Sequence, residues 1–96
     1  MAGAVAGIDS RLVAFVLPGI PESVRTARFR VRAALAFHRL DQYADDAAAI
    51  TSELVTNVVQ HVCGDGTGTV KVILVRTRNP ETRRPRARQS EVRMQL

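Results

Sequence analysis

Two apolar runs of strand length, Arg11–Leu17 (RLVAFVL) and Thr69–Val75 (TVKVILV), bracket a middle section whose apolar positions recur every three or four residues. Extended ends around a helical middle point to an α/β arrangement, with helices packed on one face of a small sheet. The first run, closed by Pro18-Gly19, reads as a strand buried on both faces. The second has the highest β-branched content of the chain and reads as its best strand. With 96 residues there is material for one domain. A chain of that size buries only about 60–65% of its unfolded surface, so each element counts.

Between the strands, Pro21 suits a first helical turn and Glu22 suits the positive end of the helix dipole. Val24, Ala27, Val31, Ala34 and Leu35 then share one helical face to about Arg39, with Arg25, Arg28, Arg32 and Arg39 forming a stripe beside it. Leu40-Asp41-Gln42 breaks the pattern, and Asp41 is an expected N-cap. A second helix follows over 42–62, with Ala47, Ile50, Leu54, Val58 and Val62 as its stripe and Val55 widening it. Gly64 is placed to stop it in the left-handed conformation. Asp65-Gly66-Thr67-Gly68 reads as a turn.

Charge separates the chain into unlike parts. Residues 1–75 carry seven basic and seven acidic side chains, whereas 76–96 carry seven arginines against Glu81 and Glu91. The whole formal charge of +5 therefore belongs to the last 21 residues. Those residues hold prolines and arginines and no aromatic, so most of 77–96 is expected to be a disordered tail, with a short strand at Glu91–Leu96. Residues 1–10 are expected to be a flexible N-terminus. No apolar run approaches the roughly 20 residues of a membrane span. Met1–Ile8 lacks the basic start of a signal peptide, and a lone Cys63 forms no internal disulfide, so a soluble cytoplasmic protein is expected. Cys63 is expected to be a small buried hydrophobe and His38 a core-edge histidine.

One segment of the second helix stands out: Ser52-Glu53-Leu54-Val55-Thr56-Asn57-Val58-Val59-Gln60-His61. Glu53, Asn57 and His61 are spaced by four and stand above one another on a single face, beside Ile50 and Leu54. A carboxylate can accept a proton from an attacking hydroxyl, an amide oxygen suits Mg²⁺, and an imidazole can hydrogen-bond either partner. The same spacing also describes the wetter flank of an amphipathic helix.

The run SELVTNVVQH resembles the N-box of the GHKL ATP-binding superfamily (histidine kinases, type II topoisomerases and heat-shock chaperones). It is most similar to the actinobacterial branch allied to anti-sigma-factor serine/threonine kinases. LPGIPESVRTARFRVRAAL resembles that branch's opening strand, proline turn and arginine-rich helix, while DDAAAI and GTVKVILV match in order and spacing. The similarity spans residues 11–76. It implies an incomplete Bergerat-type two-layer sandwich (strand–helix–helix–strand) that binds Mg²⁺ and ATP. It further implies Glu53 as the catalytic general base, Asn57 as the magnesium ligand, and His61 shaping the phosphate end of the site. By the same resemblance, the phospho-acceptor is a serine of an anti-anti-sigma partner, a sigma factor is a second partner, and a homodimer is allowed.

The chain also departs from that family. The D-x-G-x-G box whose Asp reads adenine, and the glycine-rich lid, have no counterpart: Met94-Gln95-Leu96 follows Glu91-Val92-Arg93 where the Asp is due. Asp65-Gly66-Thr67-Gly68 has a box's letters but precedes the strand. Kinase activity is therefore expected to be impaired, and because that family's sheet has strands without counterparts here, an exposed edge at Thr69–Val75 that invites self-association is expected. The alternative is a non-catalytic module that meets an acidic partner through Arg25, Arg28, Arg32 and Arg39. Nucleic-acid binding by Arg83, Arg84, Arg86, Arg88 and Arg93 is not expected, since the tail has no aromatic side chains for base stacking.

Overall fold

The computed structural model describes residues 10–76, 86–88 and 90–96. Along the chain run β1 (Ser10–Pro18), α1 (Glu22–Phe37), a 3-10 turn (Asp41–Tyr43), α2 (Ala44–His61), β2 (Thr69–Arg76), β3 (Arg86–Arg88) and β4 (Glu91–Gln95). The strands form one mixed sheet in the order β1-β2-β4-β3. β1 runs antiparallel to β2, β4 parallel to β2, and β3 antiparallel to β4. Both helices pack on this sheet and against each other, α1 over β1 and α2 over β4 and β2. The α/β expectation holds.

Register explains the core. Phe15 pairs with Val72, Leu17 with Val70 and Val13 with Leu74; on the other side of β2, Val72 pairs with Val92 and Leu74 with Met94. Phe15, Leu17, Val70, Val72, Leu74, Val92 and Met94 are all buried in one cluster with Ala27, Val31 and Leu35 of α1 and Val55, Val58 and Val59 of α2. Ile73 and Val75, which alternate with these in β2, are buried as well. Burial on both faces thus belongs to β2 and not to Arg11–Leu17. β1 is an edge strand with Val16 56% exposed, whereas β2 has strands on both sides. For the same reason Thr69–Val75 is interior and is not the exposed edge expected from the sequence.

Within the tail the structure describes two short strands. The short strand at Glu91–Leu96 is present as β4, and Arg86–Arg88 pairs with it as β3. Val92 and Met94 alternate inward, and two buried side chains on a strand flanking β2 give this segment an apolar anchor despite its polar surroundings. Residues 1–9, 77–85 and 89 of the two expected flexible termini lie outside the described residues.

In α1 the buried residues are Ser23, Ala27, Val31 and Leu35, with Val24 and Ala34 half-buried, so the face matches its periodicity. Buried Ser23 donates from Oγ to the Pro18 carbonyl at 2.6 Å, which ties the helix start to the end of β1. In α2 the buried face is Ala47, Ala48, Thr51, Val55, Val58 and Val59. It is turned from the expected stripe: Ile50 and Leu54 are half-buried, and Val62, past the last helical turn, is exposed. The helix packs on both α1 and the sheet, which draws Val55 and Thr51 to the middle. Thr51 tolerates complete burial because its Oγ1 donates to the Ala47 carbonyl at 2.7 Å.

Helix ends depart from expectation in three places. Asp41 opens the 3-10 turn without a side-chain cap, and α2 starts behind Tyr43. Gly64 is not left-handed; Gly66 and Gly68 are, at φ 81° and 84°. The turn Asp65–Gly68 is as expected, with the Thr67 N–H and hydroxyl both donating to Asp65 Oδ1. The hydroxyl bond above all, then the N–H bond, lowers the Asp65 carboxyl from its usual range. Finally, α1 stops at a left-handed Arg39, φ 60°, with Leu40 N–H on the Leu35 carbonyl and Arg39 N–H on that of Ala36. That pattern ordinarily takes glycine. Left-handed backbone costs a side-chain-bearing residue about 1–2 kcal/mol, and glycine's looser unfolded chain returns part of the difference. Arg39→Gly is therefore expected to stabilise the domain by about 0.5–1 kcal/mol, read as a higher urea midpoint at unchanged slope.

Candidate functional site

Glu53, Asn57 and His61 all lie on α2 and all are exposed. At 1.5 Å rise per residue the three span about 12 Å along the helix. Ile50 and Leu54, half-buried against the core, border this line, while Thr51, Val55 and Val58 face inward. The helical repeat is the reason: with the buried face centred near Val55, positions 53, 57 and 61 fall on the solvent side. No side-chain hydrogen bond or ion pair engages Glu53, Asn57 or His61 among the described residues.

That donor set suits a hard cation in one particular way. Among the described residues no group of three or more His, Cys, Asp or Glu side chains could hold a metal ion. An amide oxygen and a carboxylate one turn apart fit Mg²⁺ that draws its remaining ligands from phosphate oxygens and water. Asn57 would hold it, with Glu53 beside it. The metal would supply charge neutralisation on the phosphates.

No protein-family model, curated protein or solved structure matches this chain.

Elsewhere, β4 ends at Gln95, with Met94 Sδ buried 3.4 Å from Thr51 Oγ1. The Met94 sulfur of β4 and the Thr51 hydroxyl of α2 thus meet inside the core near the end of this strand. A shallow depression beside the start of α1 is lined by Pro21, Glu22, Val24, Arg25 and Arg28, without Glu53, Asn57 or His61. Arg25, Arg28, Arg32 and Arg39 are all exposed. Arg32 pairs with Asp45 at 3.0 Å, a solvated ion pair of the kind that contributes about 0–1 kcal/mol.

Cys63 is buried, as expected. His38 is not at the core edge: α1 ends at Phe37, so the His38 side chain leaves the helical face and meets the Phe37 ring edge-on, centroids 5.2 Å apart. Three features escaped the sequence reading. Thr51 looked like part of a polar run, although its spacing of four from Val55 could have placed it inside. Gly19 lies so close to Cys63 that an added Cβ would stand 2.5 Å from the Cys63 Cβ; no local signal reveals a contact between residues so far apart in sequence. Phe29 and Phe37 project into solvent at 71% and 83% exposure. Their spacing of eight, away from the Ala27–Val31–Leu35 face, was the available clue.

Proposed function

We propose that this domain is an ATP-binding regulatory protein similar to anti-sigma-factor serine/threonine kinases, a Bergerat-type sandwich in outline, whose α2 face takes Mg·ATP. The observation that carries the proposal is the line of Glu53, Asn57 and His61, exposed on one helical face without side-chain hydrogen bonds or ion pairs among the described residues. In this reading Asn57 holds the magnesium, His61 borders the phosphates, and Glu53 accepts the proton of an attacking serine hydroxyl. The partners are an anti-anti-sigma protein as phospho-acceptor and a sigma factor, in a cytoplasmic setting. No helix among the described residues is long and apolar enough to cross a membrane.

A second reading, a partner-binding module without catalysis, is favoured by one observation. The far end of β4, Met94 and Gln95, and the Leu96 that follows it carry no carboxylate to read adenine.

Titration of a fluorescent ATP analogue, with Mg²⁺ and with EDTA, separates the two. Asn57→Ala is expected to weaken Mg²⁺-dependent binding at least tenfold. Glu53→Gln is expected to keep binding and abolish phosphotransfer to serine. Saturable binding that Asn57→Ala leaves untouched refutes the assignment of the site. Absence of binding at millimolar nucleotide leaves the non-catalytic module as the function.

A further inference from the structure

The outward face of α1 carries a feature that the nucleotide reading does not use. Phe29, Ala33, Ala36 and Phe37 recur at spacings of four, three and one, and all four are exposed. The two phenylalanines present on the order of 300 Å² of aromatic surface to solvent, comparable to the largest apolar patch on a typical monomer. Along one flank of this ridge stand Arg25, Arg28 and Arg32, at spacings of three and four. Arg25 and Arg28 are exposed and make no ion pair among the described residues. On the other flank Arg30 lies over the Phe15 ring at 5.0 Å, engaged within the domain.

We infer that this face binds an amphipathic helix of a partner protein, one whose apolar stripe covers Phe29 and Phe37 while a row of Asp or Glu along one edge meets Arg25 and Arg28. Charge complementarity decides the occupant. The helix carries a single acid, Glu22, in its first turn, so the ridge is bordered by positive charge on both sides. A second copy of this chain crossing face to face would set arginine stripe against arginine stripe, which is repulsive. An anionic bilayer is disfavoured by the exposed Asp41, Asp45 and Asp46 at the start of α2, close enough to the face for Asp45 to reach Arg32. A discrete helix can lie along the ridge and stay clear of them.

The probe is a fluorescein-labelled 20-residue helical peptide with leucines at i, i+3, i+4 and i+7 and glutamates along one edge. Its control carries lysines in place of the glutamates. Anisotropy titration against the full chain is expected to show binding of the glutamate peptide, at least tenfold stronger than the lysine peptide and weakened by salt. Phe29→Ser with Phe37→Ser is expected to remove binding, and Arg25→Glu with Arg28→Glu to reverse the preference between peptides. All four side chains are exposed, and unchanged melting of the variants shows that the fold is kept. Equal affinity for both peptides, or binding indifferent to the phenylalanine pair, overturns the inference. So does a dimer in sedimentation equilibrium that Phe29→Ser abolishes, or uptake onto phosphatidylserine vesicles that the same substitution removes. The nucleotide reading stands or falls separately, because Glu53→Gln and Asn57→Ala alter another helix.

Discussion

A chain ended at Arg76 is expected to lose its cooperative melt. Such a chain keeps β1, both helices and β2 but lacks β4, and with it Val92 and Met94, which are 0% and 3% exposed. Burying each of these side chains contributes about 1.5–3 kcal/mol. The truncation also strips the parallel ladder from Lys71–Val75 and uncovers Val72 and Leu74 at a new sheet edge. Small domains are stable by only about 5–10 kcal/mol, so the loss consumes most or all of the total. The unpaired β2, rich in valine, then becomes an aggregation edge. Circular dichroism melts and size-exclusion chromatography of the two chains check this, and Val92→Asp in the full chain supplies a version without truncation. A shortened chain that melts at the temperature of the full one, as a monomer, would show that β4 contributes nothing.

The second large effect is expected where α2 ends against the turn after β1. Gly19 N–H donates to the Gly68 carbonyl at 3.0 Å, extending the β1–β2 ladder by one bond, and its α-carbon lies over Cys63. A methyl group at position 19 would meet Cys63 Cβ and Sγ, each at 2.5 Å. The Cβ cannot rotate away, so backbone must shift, and overpacking of this kind costs about 1–3 kcal/mol. Gly19→Ala is expected to fall at the upper end, and Cys63→Ala to give no relief because it retains the offending Cβ. Cys63→Gly should recover much of the loss in the Gly19→Ala background. A double-mutant cycle by urea denaturation measures the coupling, expected to exceed 1 kcal/mol. Additive losses would mean that the two residues do not press on one another.

The elements that local pattern specifies were legible. α1 and its inner face follow from Val24, Ala27, Val31 and Leu35; β1, β2 and the Asp65–Gly68 turn follow from β-branched runs and glycine. What failed depended on neighbours. Whether a strand is an edge cannot be read from its own residues, so the two-sided burial assigned to Arg11–Leu17 belongs to Val70–Val75, and the edge assigned to Thr69–Val75 belongs to β1. The face of α2 keeps Ala47, Val55 and Val58 but is rotated by roughly 60° from the expected stripe, because apolar count favoured Ile50 and Leu54, whereas packing against two surfaces selected Thr51 and Val59. At the tail, the alternation of Val92 and Met94 made the strand at Glu91–Leu96 legible, whereas the pairing of Arg86–Arg88 with it had no apolar signal of its own. Within the candidate site, the common face of Glu53, Asn57 and His61 follows from spacing alone. Their exposure depended on that rotation.

The pairing of β1 with β2 sets the order in which this chain can assemble. Pro18 meets Thr69 and Ser10 meets Arg76, so each bond between these strands closes a loop containing both helices. Such closure is entropically costly until α1 and α2 have packed and shortened the path. The helical pair is therefore the natural nucleus, and the sheet zips from the Pro18–Thr69 end, where the loop is shortest and Gly19 already bonds Gly68. Substitutions in the α1–α2 contact then slow folding, while those near Ser10 and Arg76, the last pair to close, chiefly hasten unfolding.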